Sequence, residues 1–230
     1  MRVHASIKSL DWENQFFQRH CAQLVWDDAA TLDLARLDDF DLVQAKVDSQ
    51  QTERLDTLQQ LGFRLIEGEA DLQLAVTTGE RQSGIRIARP EHIPALRTAA
   101  GAAFAYSRFR APWYQPHDSA RFYAQWIENA VHGAFDNQCL IAHDDQGKLQ
   151  GFVSLRELNN DAVRIGLLAT LPTAQGQGVG TRLMLAALDW CRARRRSKLC
   201  VATQLSNLAA MRLYLRCGAT LERTAYWLYR

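Results

Sequence analysis

The feature that most constrains this chain is a run of alternating glycines, Gln175-Gly176-Gln177-Gly178-Val179-Gly180. The apolar stretch 163–169 before it reads as a β-strand, and Val179, Leu183 and Trp190 after it recur at helical spacing. A strand that passes through glycines into a helix turns sharply and points successive backbone N–H groups toward one place. Together with the positive end of the helix dipole, this arrangement predicts an anion site suited to a diphosphate.

Other phosphate-binding loops differ from this one in their spacing. A Walker loop has Lys-Ser or Lys-Thr directly after its glycines, where this chain has Thr181-Arg182. A dinucleotide-binding fold places its glycines after the first strand and an acidic residue about 20 positions later. Here the glycines come late in the chain and Asp189 follows too soon. A tight strand-to-helix turn without any ligand remains the open alternative.

The distribution of polar and apolar segments predicts two domains. A polar, glycine-bearing run near residue 80 separates two alternating apolar segments. We therefore expect a first domain over residues 1–78, a linker over 79–84 and a second domain over 85–230. In the second domain we expect helices at 94–103, 119–131, from 179 onward and at 207–216, and strands at 138–143, 151–158, 163–169, 199–203 and 220–227. This order predicts an α/β fold, a mixed sheet covered by helices.

Two segments of the chain share an order of elements. Residues 43–65 and 199–221 both read as strand, helix, glycine stop and strand, and Gly62 aligns with Gly218. This favours an N-terminal part that is a degenerate copy of the C-terminal half-unit. The alternative, that such an order is common in any α/β chain, remains open.

Composition argues against several classes of function. The 27 basic and 25 acidic residues leave a net charge of +2, so no global field indicates a nucleic-acid or membrane-surface protein. No stretch approaches the roughly 18 apolar residues of a membrane span, and residues 1–6 lack a signal-peptide core. The five scattered cysteines suit reduced thiols, and neither they nor the six isolated histidines form a metal-ligand pattern. We expect a cytoplasmic protein without metal.

The string Gln-x-x-Gly-x-Gly after an apolar strand resembles the acetyl-CoA loop of the GCN-five-related N-acetyltransferases, the GNAT family. The resemblance implies a GNAT fold with acetyl-CoA as cosubstrate. In that family the strand before the loop splays from its neighbour, and its free backbone groups bind the pantetheine arm and face the thioester carbonyl. The cofactor-binding residues that the resemblance implies are Leu167, Leu168, Ala169, Ala174, Gln175, Gly176, Gln177, Gly178, Val179 and Gly180.

The resemblance continues into the next predicted helix. It implies that Asn207 contacts the cofactor and that Tyr214 protonates the departing thiolate, a role open to a phenol whose pKa is near ~10. From the residues alone, Asn207 is also an ordinary N-cap and Tyr214 an ordinary helix-face aromatic. The chain departs from the family at Leu213, where a basic residue contacts the cofactor. Arg212 lies one position earlier, and its long side chain could still reach a phosphate.

Longer stretches narrow the resemblance, namely residues 11–14, 107–114, 121–126 and 225–230. They are similar to family members that acetylate the 4-amino group of dTDP-4-amino-4,6-dideoxy-D-galactose (TDP-fucosamine) in enterobacterial common antigen biosynthesis. This similarity runs along the whole chain. It implies a smaller, partial GNAT-like domain before a complete one, and a homodimer that binds a nucleotide sugar.

The mechanism that follows is direct attack of the sugar amine on the thioester, with a backbone N–H near Leu168 stabilising the developing negative charge. Glu67 or Glu69 could accept the amine proton if the first domain closes over the site. The alternative for both is a solvent-facing turn residue.

A basic and aromatic cluster is suited to a nucleotide diphosphate and a stacked thymine. Its members are Ser107, Arg108, Arg110, Tyr114 and Tyr123. The alternative is a set of core aromatics flanked by solvated arginines. Two other functions also stay open: acetylation of a protein N-terminus or lysine, and a non-catalytic module that senses acyl-CoA.

Overall fold

The computed structural model describes residues 3–79, 82–104 and 107–230. The strands are β1 Ala5–Ser9, β2 Cys21–Trp26, β3 Leu42–Asp48, β4 Arg64–Ala75, β5 Ile85–Ile87, β6 Gln138–His143, β7 Leu149–Glu157, β8 Ala162–Thr170, β9 Lys198–Gln204 and β10 Thr220–Tyr229. The helices are α1 Asp11–Phe17, α2 Thr52–Gln60, α3 Ile93–Ala103, α4 Asp118–His132, α5 Val179–Ala193 and α6 Leu208–Arg216.

The chain divides into two compact units. The first unit comprises Met1–Ala70, Gln204–Ser206 and Arg223–Arg230, and the second comprises Asp71–Thr203 and Asn207–Glu222. This division differs from the predicted linear boundaries, because β4 and β10 each contribute residues to both units. Of the predicted linker 79–84, Glu80 and Arg81 lie outside the described residues, as do Met1 and Arg2 of the N-terminus.

The first unit is built around β3. Its strands follow the order β1-β2-β3-β10-β4, and β3 runs parallel to β2 and antiparallel to β10. Val43, Ala45 and Val47 alternate along β3 and face one core, as the two-residue period of a strand requires. Helix α2 places Leu58 in that core, and β10 adds Leu228.

The second unit contains the strand order β4-β9-β8-β7-β6-β5. Strand β9 runs parallel to β8, and β8, β7, β6 and β5 form an antiparallel meander. Helices α3 and α4 pack against each other and bury Leu96 and Ile127 with Phe152 and Leu167 of the sheet. Helix α5 packs on β6, β7 and β8, and its buried side chains include Leu183.

The predicted mixed sheet with covering helices is confirmed. Strand β6 has the predicted bounds, and α3 and α4 begin and end within one residue of their predicted bounds. Strand β10 runs two residues beyond the predicted end, because Leu228 and Tyr229 pair with β3. Within the described ranges, no helix has the length and apolar character needed to cross a bilayer.

Candidate functional site

Strand β8 separates from β9 halfway along its length. Parallel pairing ends where Ile165 lies opposite Val201, although β8 continues to Thr170 and β9 to Gln204. On its other edge β8 stays paired with β7 as far as Thr170. The structure therefore shows the splay that the resemblance implied. It leaves one edge of residues 167–169 available to a ligand.

The glycine run forms the turn between β8 and α5. Gly176 and Gly178 have φ values of +74° and +76°, a left-handed conformation that glycine adopts without the penalty of a Cβ atom. Gly178 is the N-cap residue of α5, and no side chain of the residues that the structure describes caps the helix. The Arg182 amide is 3.0 Å from the carbonyl oxygen of Gly178, whereas no hydrogen bond within the described parts of the chain is donated by the amides of residues 176–181. Such a group of amides at a helix N-terminus can bind an anion.

Helix α6 packs on the first turn of α5 through Leu213. A Cβ atom on Gly180 would lie 2.9 Å from Leu213 Cδ2 and 3.7 Å from Thr170 Oγ1. The glycine thus lets the end of β8, the start of α5 and α6 meet at one place. Leu213, which stands where the family has its basic contact, is used for helix packing. Arg212 is exposed, and its reach to a phosphate stays a prediction.

Tyr214 lies on α6 directly after Leu213 and is only 4% exposed. Burial raises the pKa of its phenol above the ordinary value, and the nearby Cys217 thiol raises it further. The phenol therefore keeps its proton at any physiological pH, as a proton donor must. Its part in catalysis stays a prediction.

Asn207 is the N-cap residue of α6. Its side-chain oxygen accepts a hydrogen bond of 3.2 Å from the amide of Ala210. An asparagine in this role satisfies an amide that the helix itself leaves unpaired. The N-cap interpretation is confirmed, and the contact of Asn207 with a cofactor stays a prediction.

The predicted aromatic residues of the substrate cluster pack on other rings. Tyr114 is buried edge-on against Phe109, with ring centroids 5.2 Å apart. Tyr123 lies against Phe104, with ring centroids 4.6 Å apart. Both contacts agree with the alternative of core aromatics.

The polar members of the same cluster make local contacts. Ser107 is buried, and its hydroxyl lies 2.8 Å from that of Ser119. The Arg108 guanidinium lies 4.3 Å from the ring centroid of Phe109, and Arg110 donates a 3.3 Å hydrogen bond to the carbonyl of Ala111. Binding of a nucleotide by these side chains stays a prediction.

Glu67 and Glu69 lie on the part of β4 that belongs to the first unit. Glu69 forms an ion pair with Lys46 and accepts a 2.9 Å hydrogen bond from the indole of Trp227. Glu67 is half-buried. Their predicted role as proton acceptor stays a prediction.

Sequence reasoning missed a buried polar network beside the splayed strand. Asp136 and Ser154 are both fully buried. Asp136 Oδ2 accepts hydrogen bonds from Ser154 Oγ at 2.6 Å and from Trp126 Nε1 at 2.8 Å. Ser154 Oγ in turn accepts one from the amide of Leu167 at 2.9 Å. The only signal in the sequence was a serine inside the otherwise apolar run 152–155.

In the portion of the chain that the structure describes, no three His, Cys, Asp or Glu side chains are grouped so that they could hold a metal ion.

Comparison with known proteins identifies the family of this chain. The model of the acetyltransferase (GNAT) family matches residues 102–219. A dTDP-fucosamine acetyltransferase of Escherichia coli O6:H1 is 52% identical over 231 residues, and the alignment covers 100% of both chains. The spore coat polysaccharide biosynthesis protein SpsD of Bacillus subtilis is 25% identical over 141 residues, which cover 60% of this chain and 47% of that one.

A solved structure shows the same fold at low sequence identity. The crystal structure of a GCN5-related N-acetyltransferase from Sphaerobacter thermophilus has a TM-score of 0.66 at 16% identity, and the match covers 99% of this chain and 76% of that one. The family match and the full-length relative lead to one conclusion: the chain belongs to the acetyltransferase (GNAT) family.

Proposed function

We propose that this protein transfers the acetyl group of acetyl-CoA to the 4-amino group of dTDP-4-amino-4,6-dideoxy-D-galactose (TDP-fucosamine). The observation that carries the choice of acceptor is the 52% identity, over the whole chain, to the dTDP-fucosamine acetyltransferase of Escherichia coli O6:H1. The choice of donor is supported by the second unit, where the splayed β8 leads into the uncapped N-terminus of α5.

The residues around this turn fit acetyl-CoA. The amides of residues 176–181 and the helix dipole complement a diphosphate. The open edge of residues 167–169 offers backbone groups to the amides of the pantetheine arm, much as a strand edge binds an extended peptide. Diphosphate binding and arm binding together place the thioester beside β8.

Two groups of the chain then serve the chemistry. The N–H of Leu168 donates to the thioester carbonyl oxygen, where negative charge develops as the amine attacks. Tyr214 gives its proton to the departing sulfur, since its buried phenol is protonated when the thioester binds. A carbon–nitrogen bond forms as the carbon–sulfur bond breaks, and the amine nitrogen loses one proton to water. The Tyr214 phenolate takes a proton back from water, so the phenol is restored and no covalent enzyme intermediate is needed.

Other parts of the proposal are supported by the resemblance alone. They are a cytoplasmic homodimer, a place in enterobacterial common antigen biosynthesis, and contacts of the nucleotide with Arg108, Arg110, Tyr114 and Tyr123. Light scattering of the purified protein tests the homodimer, since a dimer has twice the 26.1 kDa mass of one chain.

Release of CoA from acetyl-CoA tests the proposal directly. We expect release with TDP-fucosamine and none with dTDP-glucose, which lacks the amine but keeps the nucleotide. A peptide with a free N-terminus and a lysine serves as the rival acceptor. Acetylation of the peptide and not the sugar would make the protein a protein acetyltransferase, and acetyl-CoA binding without any turnover would make it a non-catalytic acyl-CoA module.

A further inference from the structure

Strand β8 contains a bulge within its splayed half. Against β7, Val153 lies opposite Leu168 and Leu155 lies opposite Ile165, so Ser154 alone faces two residues of β8. The extra residue interrupts the regular ladder and turns the strand. The bulge therefore lies directly before Leu168, whose amide is the proposed hydrogen-bond donor to the thioester carbonyl.

The buried side chains of Asp136 and Ser154 fill the space at this bulge. A Cβ atom on Gly166 would overlap Asp136 Oδ2 and would lie 2.8 Å from Ser154 Oγ. Only a glycine lets the strand approach the two side chains this closely. The close approach of Asp136 and Ser154 to β8 therefore requires a glycine at position 166.

The network determines the direction of one backbone amide. Ser154 Oγ accepts a hydrogen bond from the amide of Leu167 across to β7, and Asp136 accepts a hydrogen bond from the hydroxyl of that serine. In an extended strand, successive N–H groups point to opposite edges. Holding the Leu167 amide toward β7 thus turns the Leu168 amide toward the edge that β9 has left.

The burial of Asp136 is unfavourable for the stability of the fold. It is fully buried, and among the described residues its Oδ1 atom has no hydrogen-bond partner. The guanidinium of Arg156 comes only to 4.0 Å from that atom. A buried polar atom without a partner lowers stability, and such atoms often occur where a function requires the group.

We propose that Asp136 and Ser154 are positioning residues for acetyl transfer: through the Leu167 amide they aim the Leu168 amide at the acetyl carbonyl of bound acetyl-CoA. The inference rests on the proposed function in taking residues 167–169 as the place of the thioester. Trp126 completes the arrangement, since its indole N–H holds the carboxylate of Asp136 from the other side.

Steady-state kinetics of matched variants test the inference. Removal of an oxyanion donor commonly costs about 10²–10³ in kcat. In Ser154→Ala the Leu168 amide is still present, but it is held less firmly in the direction of the acetyl carbonyl. We therefore expect kcat to fall by about 10- to 100-fold. The dissociation constant of acetyl-CoA, measured by calorimetry, should change less than about threefold, because the diphosphate amides are untouched.

Two further variants separate positioning from folding. Cys139 lies opposite Ser154 on β6 and is also buried, so Cys139→Ala removes one heavy atom beside the network but none of the hydrogen bonds among Asp136, Ser154, Trp126 and Leu167. We expect it to keep its kcat. Asp136→Asn retains an acceptor oxygen for Ser154 and Trp126 and should keep kcat within about threefold, whereas Asp136→Ala should match Ser154→Ala. An equal kcat for Ser154→Ala and Cys139→Ala, whether high or low, would overturn the inference.

A spectroscopic measurement distinguishes this inference from the choice of acceptor. In the infrared spectrum of bound carbonyl-¹³C acetyl-CoA, a hydrogen bond from Leu168 lowers the carbonyl stretching frequency. We expect Ser154→Ala to raise that frequency toward its value in water and Cys139→Ala to leave it unchanged. This readout needs no sugar, so it still tests the inference if TDP-fucosamine proves not to be the acceptor.

Discussion

Helices α2 and α6, one in each unit, end in the same way. Each is followed by a glycine in the left-handed conformation, Gly62 with φ +85° and Gly218 with φ +91°. The amide of Gly62 bonds the carbonyl of Gln59 at 3.0 Å, and that of Gly218 bonds the carbonyl of Leu215 at 3.0 Å. Since the two glycines are aligned by the sequence pattern, these shared bonds support an N-terminal unit that copies the C-terminal half-unit.

The two helices differ in the side chain four residues before the glycine. Leu58 and Tyr214 occupy this place, and their carbonyls accept matching bonds, from Phe63 at 2.9 Å and from Ala219 at 3.0 Å. Leu58 is a core residue, whereas Tyr214 carries a phenol. The same backbone frame therefore serves packing in one unit and the proposed proton transfer in the other.

The largest expected effect comes from removing the Tyr214 phenol, whose place in α2 is taken by Leu58. Tyr214→Phe should lower kcat by about 10²–10⁴, the usual contribution of one general acid, and leave acetyl-CoA affinity nearly unchanged. Kinetics and calorimetry measure the two quantities. Tyr229→Phe, which removes a buried hydroxyl from the first unit, is the matched control and should keep its kcat. Unchanged turnover in Tyr214→Phe would contradict the proposal that Tyr214 is the general acid.

The counterpart residue should affect stability alone. Leu58→Ala leaves a cavity in the first core, and we expect the free energy of unfolding to fall by about 2–5 kcal/mol. Denaturant titration measures the loss. The kcat of the folded fraction should not change, and a parallel fall in kcat would show that the two positions are not separable into packing and chemistry.

Substitution of Gly62 and Gly218, the glycines that end α2 and α6, tests whether the N-terminal part copies the C-terminal half-unit. Gly62→Ala and Gly218→Ala each place a Cβ atom at positive φ, which costs about 1–2 kcal/mol. Neither change should meet a close contact: among the described residues other than the chain neighbours, the nearest atom to a Cβ on Gly62 is 3.9 Å away, and a Cβ on Gly218 has no atom within 4 Å. Similar losses in denaturant titration support the copy, and losses that differ by more than about 1 kcal/mol contradict it.

The smallest effect is a pH dependence present at Tyr214 and absent at Leu58. Burial raises the pKa of Tyr214, so the folded phenol keeps its proton after the unfolded one, with a pKa near ~10, has lost it. Its contribution to stability is therefore full below pH ~10 and is lost as the pH rises toward the folded pKa. By pH ~10.5 the loss should stay below about 1 kcal/mol. Urea titrations at pH ~8 and ~10.5 should show a shallower decline for Tyr214→Phe than for the wild type.

Local chemistry made much of this molecule predictable. The glycines of residues 175–180 and the helix stop at Gly218 each act through neighbours in sequence, and the structure has a turn at each place. The splay of β8 followed from the family resemblance. These features depend on backbone conformation, which short segments of sequence can specify.

Features that depend on distant partners were not predictable. Asp136 follows Phe135 in a turn and reads as a solvent-exposed loop residue, yet Trp126 and Ser154 enclose it. The division of β4 and β10 between units also escaped the linear boundaries, because a strand's pattern does not identify the strands beside it. The sequence left both a substrate contact and a core position possible for Tyr114, because its pattern does not identify the residues that pack against it.

The pairing of β3 with β10 has a consequence during synthesis. Residues 44–48 find their antiparallel partners at 225–229, which are synthesised much later. A ribosome adds roughly 5–20 residues per second, so β3 and its apolar side chains wait on the order of ten seconds for that partner. Strand β3 is thus made long before its sheet is complete, and a chaperone has that interval in which to shield it.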